Sequence, residues 1–179
     1  FKVKYKKGII IAAGKGTRLT PATTIISKPL LPVFDKPMIY YALANLMEAG
    51  VREVLFITRK SDLKNFKDLF GNGSNLGMKF TFAIQKKQIG IPDAMIIGKK
   101  FIGNVPFILA LADNLFIGES FKQVLKQVQK SNSEATLLAV KVPNPSKSGV
   151  IEYDKDKKII SIEEKPKIPK SNFIIPGFY

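Results

Sequence analysis

The chain has 179 residues, enough for one domain with a full hydrophobic core, and its 45% hydrophobic and 24% charged residues exclude the disordered class. It contains neither Cys nor His. That excludes disulfides, thiolate or histidine-ligated metal sites, cysteine nucleophiles and Ser-His-Asp triads, and leaves carboxylates, lysines, arginines and backbone groups for any chemistry.

No apolar run reaches the roughly 18 residues of a membrane-spanning helix. The basic start Phe1-Lys2-Val3-Lys4-Tyr5-Lys6-Lys7 leads into too short an apolar stretch for a signal peptide. A cytoplasmic protein without a membrane partner is expected. The formal charge of +15 invites a nucleic-acid reading, yet arginine, the residue suited to bidentate phosphate and base-edge contacts, occurs only at Arg18, Arg52 and Arg59. Lysines spread over the whole length read instead as a solvated surface around a site for anionic substrates, with no nucleic-acid partner.

Along the chain, apolar runs alternate with amphipathic stretches in the order βαβαβαβ, the pattern of a parallel or mostly parallel sheet. Gly8 to Ala12 is an Ile-rich run that reads as a strand buried on both faces. Asp35-Lys36-Pro37 reads as a helix start, with Asp35 as cap and Pro37 in the first turn, and Gly50 as its close. Val54 to Thr58 is the next strand, Leu63 to Phe70 a short helix stopped by Gly71, and Lys79 to Ile84 a third strand. Pro92 to Gly98 reads as a helix entered through Gly90, and Phe107 to Leu111 as a strand that ends at Ala112-Asp113-Asn114. Helical spacing follows over Phe121 to Lys130, then a fifth strand over Ala135 to Val142. Gly149 to Tyr153 and Ile159 to Glu163 form a hairpin across Asp154 to Lys157, and Ile174 to Tyr179 reads as the approach to a further strand, as in a C-terminally truncated chain.

In open α/β sheets ligands bind outside the carboxyl ends of the strands, so the loop Ala12-Ala13-Gly14-Lys15-Gly16-Thr17-Arg18 is the first candidate. Its glycines let backbone N–H groups approach a phosphate, and Arg18 can add a bidentate contact. It is not a P-loop, because Gly14-Lys15 lacks both the earlier glycine and the following Ser or Thr. It is not the dinucleotide fingerprint, because Leu19 stands where a third glycine is required and Pro21 discourages an immediate helix. Taken alone, such a loop can also be a plain strand-to-helix turn.

Ala12-Ala13-Gly14-Lys15-Gly16-Thr17-Arg18-Leu19 followed by Ser27-Lys28-Pro29-Leu30-Leu31-Pro32 resembles the signature of the sugar-1-phosphate nucleotidylyltransferases. Asp35 to Tyr41, Gly71-Asn72-Gly73-Ser74, Asp113-Asn114-Leu115-Phe116 and Glu163-Glu164-Lys165-Pro166 are similar to the thymidylyltransferase branch of that family. The resemblance implies an α/β fold, a Rossmann-like, mostly parallel mixed sheet flanked by helices (the nucleotide-diphospho-sugar transferase fold). It would form a single core over 1–179, with a nucleotide-binding part at about 7–118 and a sugar-phosphate part at about 119–179. It further implies transfer of a nucleotidyl group from a nucleoside triphosphate, dTTP by the branch, to glucose 1-phosphate with Mg²⁺, and homo-oligomers. UTP in place of dTTP, or a nucleotide-binding module without full activity, are the alternatives.

Carried over by position, Ala13, Gly14, Gly16, Thr17 and Arg18 would hold the triphosphate and Arg18 the departing pyrophosphate, with Lys28 between the reacting phosphates. Gln85 and the backbone of Gly90 would read the base, and Asp113 would bind the metal. Asn114, Gly149, Glu164, Lys165 and Ile175 would hold the sugar phosphate. Read singly, Lys28 and Lys165 are two among many surface lysines, Asp113 a turn residue, Gln85 a strand-end amide facing water, and Glu163-Glu164-Lys165 a solvated hairpin edge. The chain departs from the branch at Ala13 and Ala112, where glycine is usual, and at Pro92-Asp93, commonly Ala-Gln. Thr20-Pro21-Ala22-Thr23 is similar to the uridylyl branch, and the family's second metal-binding Asp lies in a C-terminal part this chain does not contain.

Overall fold

A computed structural model describes residues 4–130, 132–156 and 158–179, with the side chains of Glu119 and Ser120 left aside. The expectations for Phe1 to Val3 and for Lys157 fall outside the described residues. The chain divides into two compact units, Phe1–Asn132 and Ser133–Tyr179.

The first unit is built on four parallel strands: β1 (Lys7–Ala12), β4 (Glu53–Thr58), β5 (Lys79–Ile84) and β6 (Phe107–Leu111), in the order β5-β4-β1-β6. A short antiparallel pair, β2 (Pro32–Val33) and β3 (Lys36–Pro37), lies between β1 and the first helix. Four helices complete the unit: α1 (Ile39–Glu48), α2 (Leu63–Phe70), α3 (Ile91–Ile102) and α4 (Glu119–Lys130).

The Ile-rich run of β1 is buried because both faces of the strand are covered. A Cβ built on Gly8 would lie 2.8 Å from Leu46 Cδ1 of α1, while Ile9, its neighbour on the opposite face, meets α3 beside Gly98. Alternation along the strand thus sends one side chain toward α1 and the next toward α3. On α1, Ile39, Ala42, Leu43 and Leu46 are buried at the spacing of one helical face. On β4, Leu55 points to α3 and Phe56 to α2, where its ring stacks on Phe70 at 4.8 Å and meets Phe80 edge-on at 5.1 Å. That cluster carries the packing between α2, β4 and β5, with Phe56 fully buried.

The second unit is an antiparallel sheet in the order β7-β10-β8-β9, made of β7 (Val140–Lys141), β8 (Gly149–Tyr153), β9 (Ile159–Glu164) and β10 (Phe173–Ile174). The parallel α/β sheet with flanking helices, together with this antiparallel piece, is the architecture expected from the resemblance.

Three local expectations are corrected. The helix does not start at Asp35: Lys36–Pro37 pairs with Pro32–Val33, the Asp35 carboxylate accepts from Lys36 Nζ at 2.7 Å instead of capping, and helix α1 begins at Ile39. Proline is tolerated there because a two-residue ladder leaves its missing N–H without consequence. The fifth strand is Val140–Lys141 rather than Ala135 to Val142, because among the described residues its only ladder partner is the two-residue β10. Helix α3 runs on to Ile102, past Gly98. Helix α4 falls within the first unit, where Gln129 Nε2 donates to Ala49 O and accepts at Oε1 from Lys4 N.

Truncating the ring at the centre of the aromatic cluster, Phe56→Ala, is expected to lower the unfolding free energy by about 3–5 kcal/mol. Urea titration would show this as a lower midpoint with an unchanged slope; a midpoint within error of the parent protein would contradict the assigned packing.

Candidate functional site

Strand β1 is hydrogen-bonded on one side to β4 and on the other to β6, and the chain visits β4 and β5 before crossing to β6. The connections leaving β1 and β6 therefore depart in opposite directions and leave a crevice between them at the carboxyl ends of the strands. Ala112 N donates to Ile11 O at 3.0 Å and extends the β1–β6 contact up to Asp113. A cleft of about 300 Å³ opens here, lined among others by Gly14, Gly16, Thr17, Arg18, Lys28 and Asp113. Of the residues that sequence reasoning placed around the reacting phosphates it gathers these six, whereas Ala13, 1% exposed, does not line it.

The loop after β1 is held in shape by contacts from farther along the chain. Gly16 has φ 65, and a Cβ there would stand 3.0 Å from both Lys28 Cβ and Thr23 Cγ2. Only glycine meets both demands, a left-handed backbone and no side chain between those neighbours. The Thr23 hydroxyl, buried, donates to Gly16 O at 2.8 Å, and Gln88 Nε2 donates to Ala13 O. Gly14 is different in kind: a Cβ there would meet nothing within 4 Å, so its hydrogen faces the open cleft. The chain then makes a 3₁₀ turn over Thr17–Leu19 and another over Lys28–Leu30, in which Pro29 is buried. No regular helix follows β1 directly, as Pro21 foretells.

Lys28 Nζ and Asp113 Oδ2 form an ion pair of 2.9 Å across the cleft. The partly exposed pair contributes at most about 1 kcal/mol to stability, so its value lies in position. Arg18 is exposed and has no acidic partner among the described residues. Among them, no group of three or more Asp and Glu forms a metal-binding cluster; Asp113 is the carboxylate in the cleft. Asn114 follows it in the chain, half-buried.

Gln85 continues β5, with its N–H donating to Thr58 O at 2.9 Å. It is 6% exposed, not a strand-end amide in water, and its Nε2 donates to Gly90 O at 3.3 Å and to Asp93 Oδ2 at 2.8 Å. Gln85 and Gly90 are thus brought together, and Gln88 ties their loop to Ala13.

In the second unit four further candidates meet at one end of the antiparallel sheet. Gly149 pairs with Glu164 in the β8–β9 register, and Ile175 N donates to Gly149 O at 2.9 Å. Lys165 N donates to Ser148 O at 3.0 Å, and Lys165 Nζ pairs with Glu164 Oε1 at 2.9 Å. Burial pushes the Tyr179 phenol up, and the Glu164 charge adds to the shift.

A family model described as Nucleotidyl transferase matches residues 7–179. The chain belongs to the nucleotidyl transferase family. Among curated family members, the glucose-1-phosphate thymidylyltransferase of Neisseria meningitidis is 49% identical over 173 residues, which cover 97% of this chain and 60% of that protein. The corresponding Mycolicibacterium smegmatis protein is 45% identical over the same shares. A solved Bacillus anthracis protein, provisionally called a glucose-1-phosphate thymidylyltransferase, is similar at a TM-score of 0.88 with 35% identity, covering 96% of this chain and 69% of that one. A UDP-glucose pyrophosphorylase complexed with UDP-glucose is similar at 0.81 with 30% identity, covering 97% and 75%. The chain spans about 60% of the length of these curated relatives. Among the described residues no helix is long and apolar enough to cross a membrane.

Sequence reasoning missed Thr23, Gln88 and the partnership of Asp93 with Gln85. Thr23 and Gln88 act on backbone carbonyls through isolated side chains, which leave no periodic trace. The only sign of Asp93 was its departure from Ala-Gln.

Two glycine substitutions separate shape from contact. Gly16→Ala should cost about 1–3 kcal/mol of stability through its forced left-handed backbone. Gly14→Ala should leave the melting temperature nearly unchanged, because its methyl group enters the open cleft and meets no neighbour. Thermal denaturation and calorimetry on both variants check this; equal losses of stability would contradict it.

Proposed function

We propose that the protein transfers a thymidylyl group from dTTP to glucose 1-phosphate, forming dTDP-glucose and releasing pyrophosphate. The observation that carries this reading is the convergence of Gly14, Gly16, Arg18, Lys28 and Asp113 on one cleft at the crevice beside β1. An oxygen of the sugar phosphate attacks the α-phosphorus in line; its bond forms as the bond from that phosphorus to the bridging oxygen of pyrophosphate breaks. A phosphomonoester has its second pKa near about 6, so the nucleophile is already an anion and needs no histidine base. What remains is positioning and charge neutralisation.

In this reading Gly14, Gly16 and Thr17 offer backbone N–H groups to the triphosphate, and Ala13 supports the same loop. Arg18, free of acidic partners among the described residues, stabilises the pyrophosphate as it leaves. Lys28 exchanges its carboxylate partner for phosphate oxygens. Asp113 and the triphosphate oxygens together would hold a divalent cation, Mg²⁺ by its hardness, which would neutralise phosphate charge. Gln85 and Gly90 read the base, and Asn114, Gly149, Glu164, Lys165 and Ile175 take the sugar phosphate. A cytoplasmic location is part of the same reading. The thymidylyltransferase names of the curated relatives support dTTP, and the resemblance to a UDP-glucose pyrophosphorylase keeps UTP as the second reading.

Pyrophosphate release by the full-length protein across the common triphosphates and several sugar phosphates tests the reading. The expected result is metal-dependent release that is fastest with dTTP and glucose 1-phosphate, and no release with any combination would sink it. Arg18→Ala should lower kcat by about 10²-fold, on the order of 3 kcal/mol. A loss under about threefold would remove Arg18 from the chemical step.

A further inference from the structure

Gln85 is the buried amide at the end of β5, and its two faces are not equivalent. Both acceptors beside its Nε2 are oxygens that only accept: the Asp93 carboxylate at 2.8 Å and the Gly90 carbonyl at 3.3 Å. A flipped amide would set Oε1 against those two oxygens at the same short distances, acceptor facing acceptor. The orientation is therefore set by chemistry, and both amide hydrogens are committed.

The other end of the side chain is left over. Gln85 Oε1 accepts no hydrogen bond from the described residues, and it is not among the sealed unpaired side-chain atoms, which are Ser27 Oγ, Asn45 Nδ2 and Thr58 Oγ1. It is a pure acceptor that is not sealed off, in a residue only 6% exposed. Five residues on, the Gly90 N–H donates to no described group. Gly90 holds φ 107 with ψ −179, a backbone that a residue with a side chain rarely adopts. The loop thus offers one acceptor and one donor from two positions five residues apart.

We infer that Asp93 is a positioning residue that fixes the polarity of Gln85, so that the site selects a base presenting an N–H beside a carbonyl. This rests on the reading of Gln85 and Gly90 as the base site. Uracil and thymine carry that edge at N3–H and a flanking carbonyl, and guanine carries it at N1–H and O6. Cytosine and adenine present a bare ring nitrogen at the matching position. Set against Gln85 Oε1, that nitrogen brings two acceptors together and leaves both unpaired, the kind of mismatch that a polar site rejects most strongly. Asp93 touches no base in this account; it acts through the amide.

The test compares dUTP with dCTP, which differ only at the edge in question. Calorimetry on the chain with each ligand yields a preference ratio for the parent protein, for Asp93→Asn and for Gln85→Ala. The parent should favour dUTP by at least about tenfold. Asp93→Asn lets the amide turn and should collapse the ratio toward one, chiefly by strengthening dCTP. A purely structural role for Asp93 would weaken both ligands alike and keep the ratio, and a ratio retained within about twofold overturns the inference while leaving the base site intact. A parent protein without preference, or an unchanged ratio in Gln85→Ala, overturns the base-site reading itself. Should Asp93→Asn fold poorly by circular dichroism, Asp93→Ser makes the same comparison with the same two outcomes.

Discussion

The site depends on β1 being paired in parallel on both sides. A strand so placed must be apolar on both faces, which Ile9 and Ile10 satisfy by facing opposite layers of helix. It also must release its chain at the same edge as β4, β5 and β6. The loops after all four strands then lie on one rim, and Lys28 and Asp113, 85 residues apart in sequence, come within 2.9 Å. Nothing local would bring them there.

Much of this was legible in the sequence because its causes are local or periodic. The two-sided burial of β1, the four parallel strands and the helical faces follow from spacing alone. The cleft residues were legible by a different route, as a loop whose glycines and Arg18 fit neither of the two familiar phosphate cradles and instead matched a family signature with Lys28 behind it. The misjudged stretch around Asp35 shows the limit. Asp-x-Pro is a fair helix start by composition, but the hairpin of β2 and β3 claims those residues first, and Asp35 bonds Lys36 instead of the helix. A two-residue ladder is too short to announce itself.

Side chains that serve backbone carbonyls were also out of reach. Thr23 and Gln88 look like any polar loop residues until the loop they brace is seen. The difference between Gly14 and Gly16 is of the same kind, since both read as glycines of one motif, yet one is shaped by its neighbours and the other by open space.

The ion pair between Lys28 and Asp113 has a thermodynamic meaning beyond its modest strength. Under the proposed function each partner would be the other's competitor for ligand: a phosphate on Lys28 would release the carboxylate, and a cation on Asp113 would release the ammonium group. Whichever arrives first would remove part of the cost for the second. Linkage would require the effect to be mutual, so under the proposed function this one side-chain contact would suffice to make cation and triphosphate bind with positive cooperativity, with no movement of the backbone.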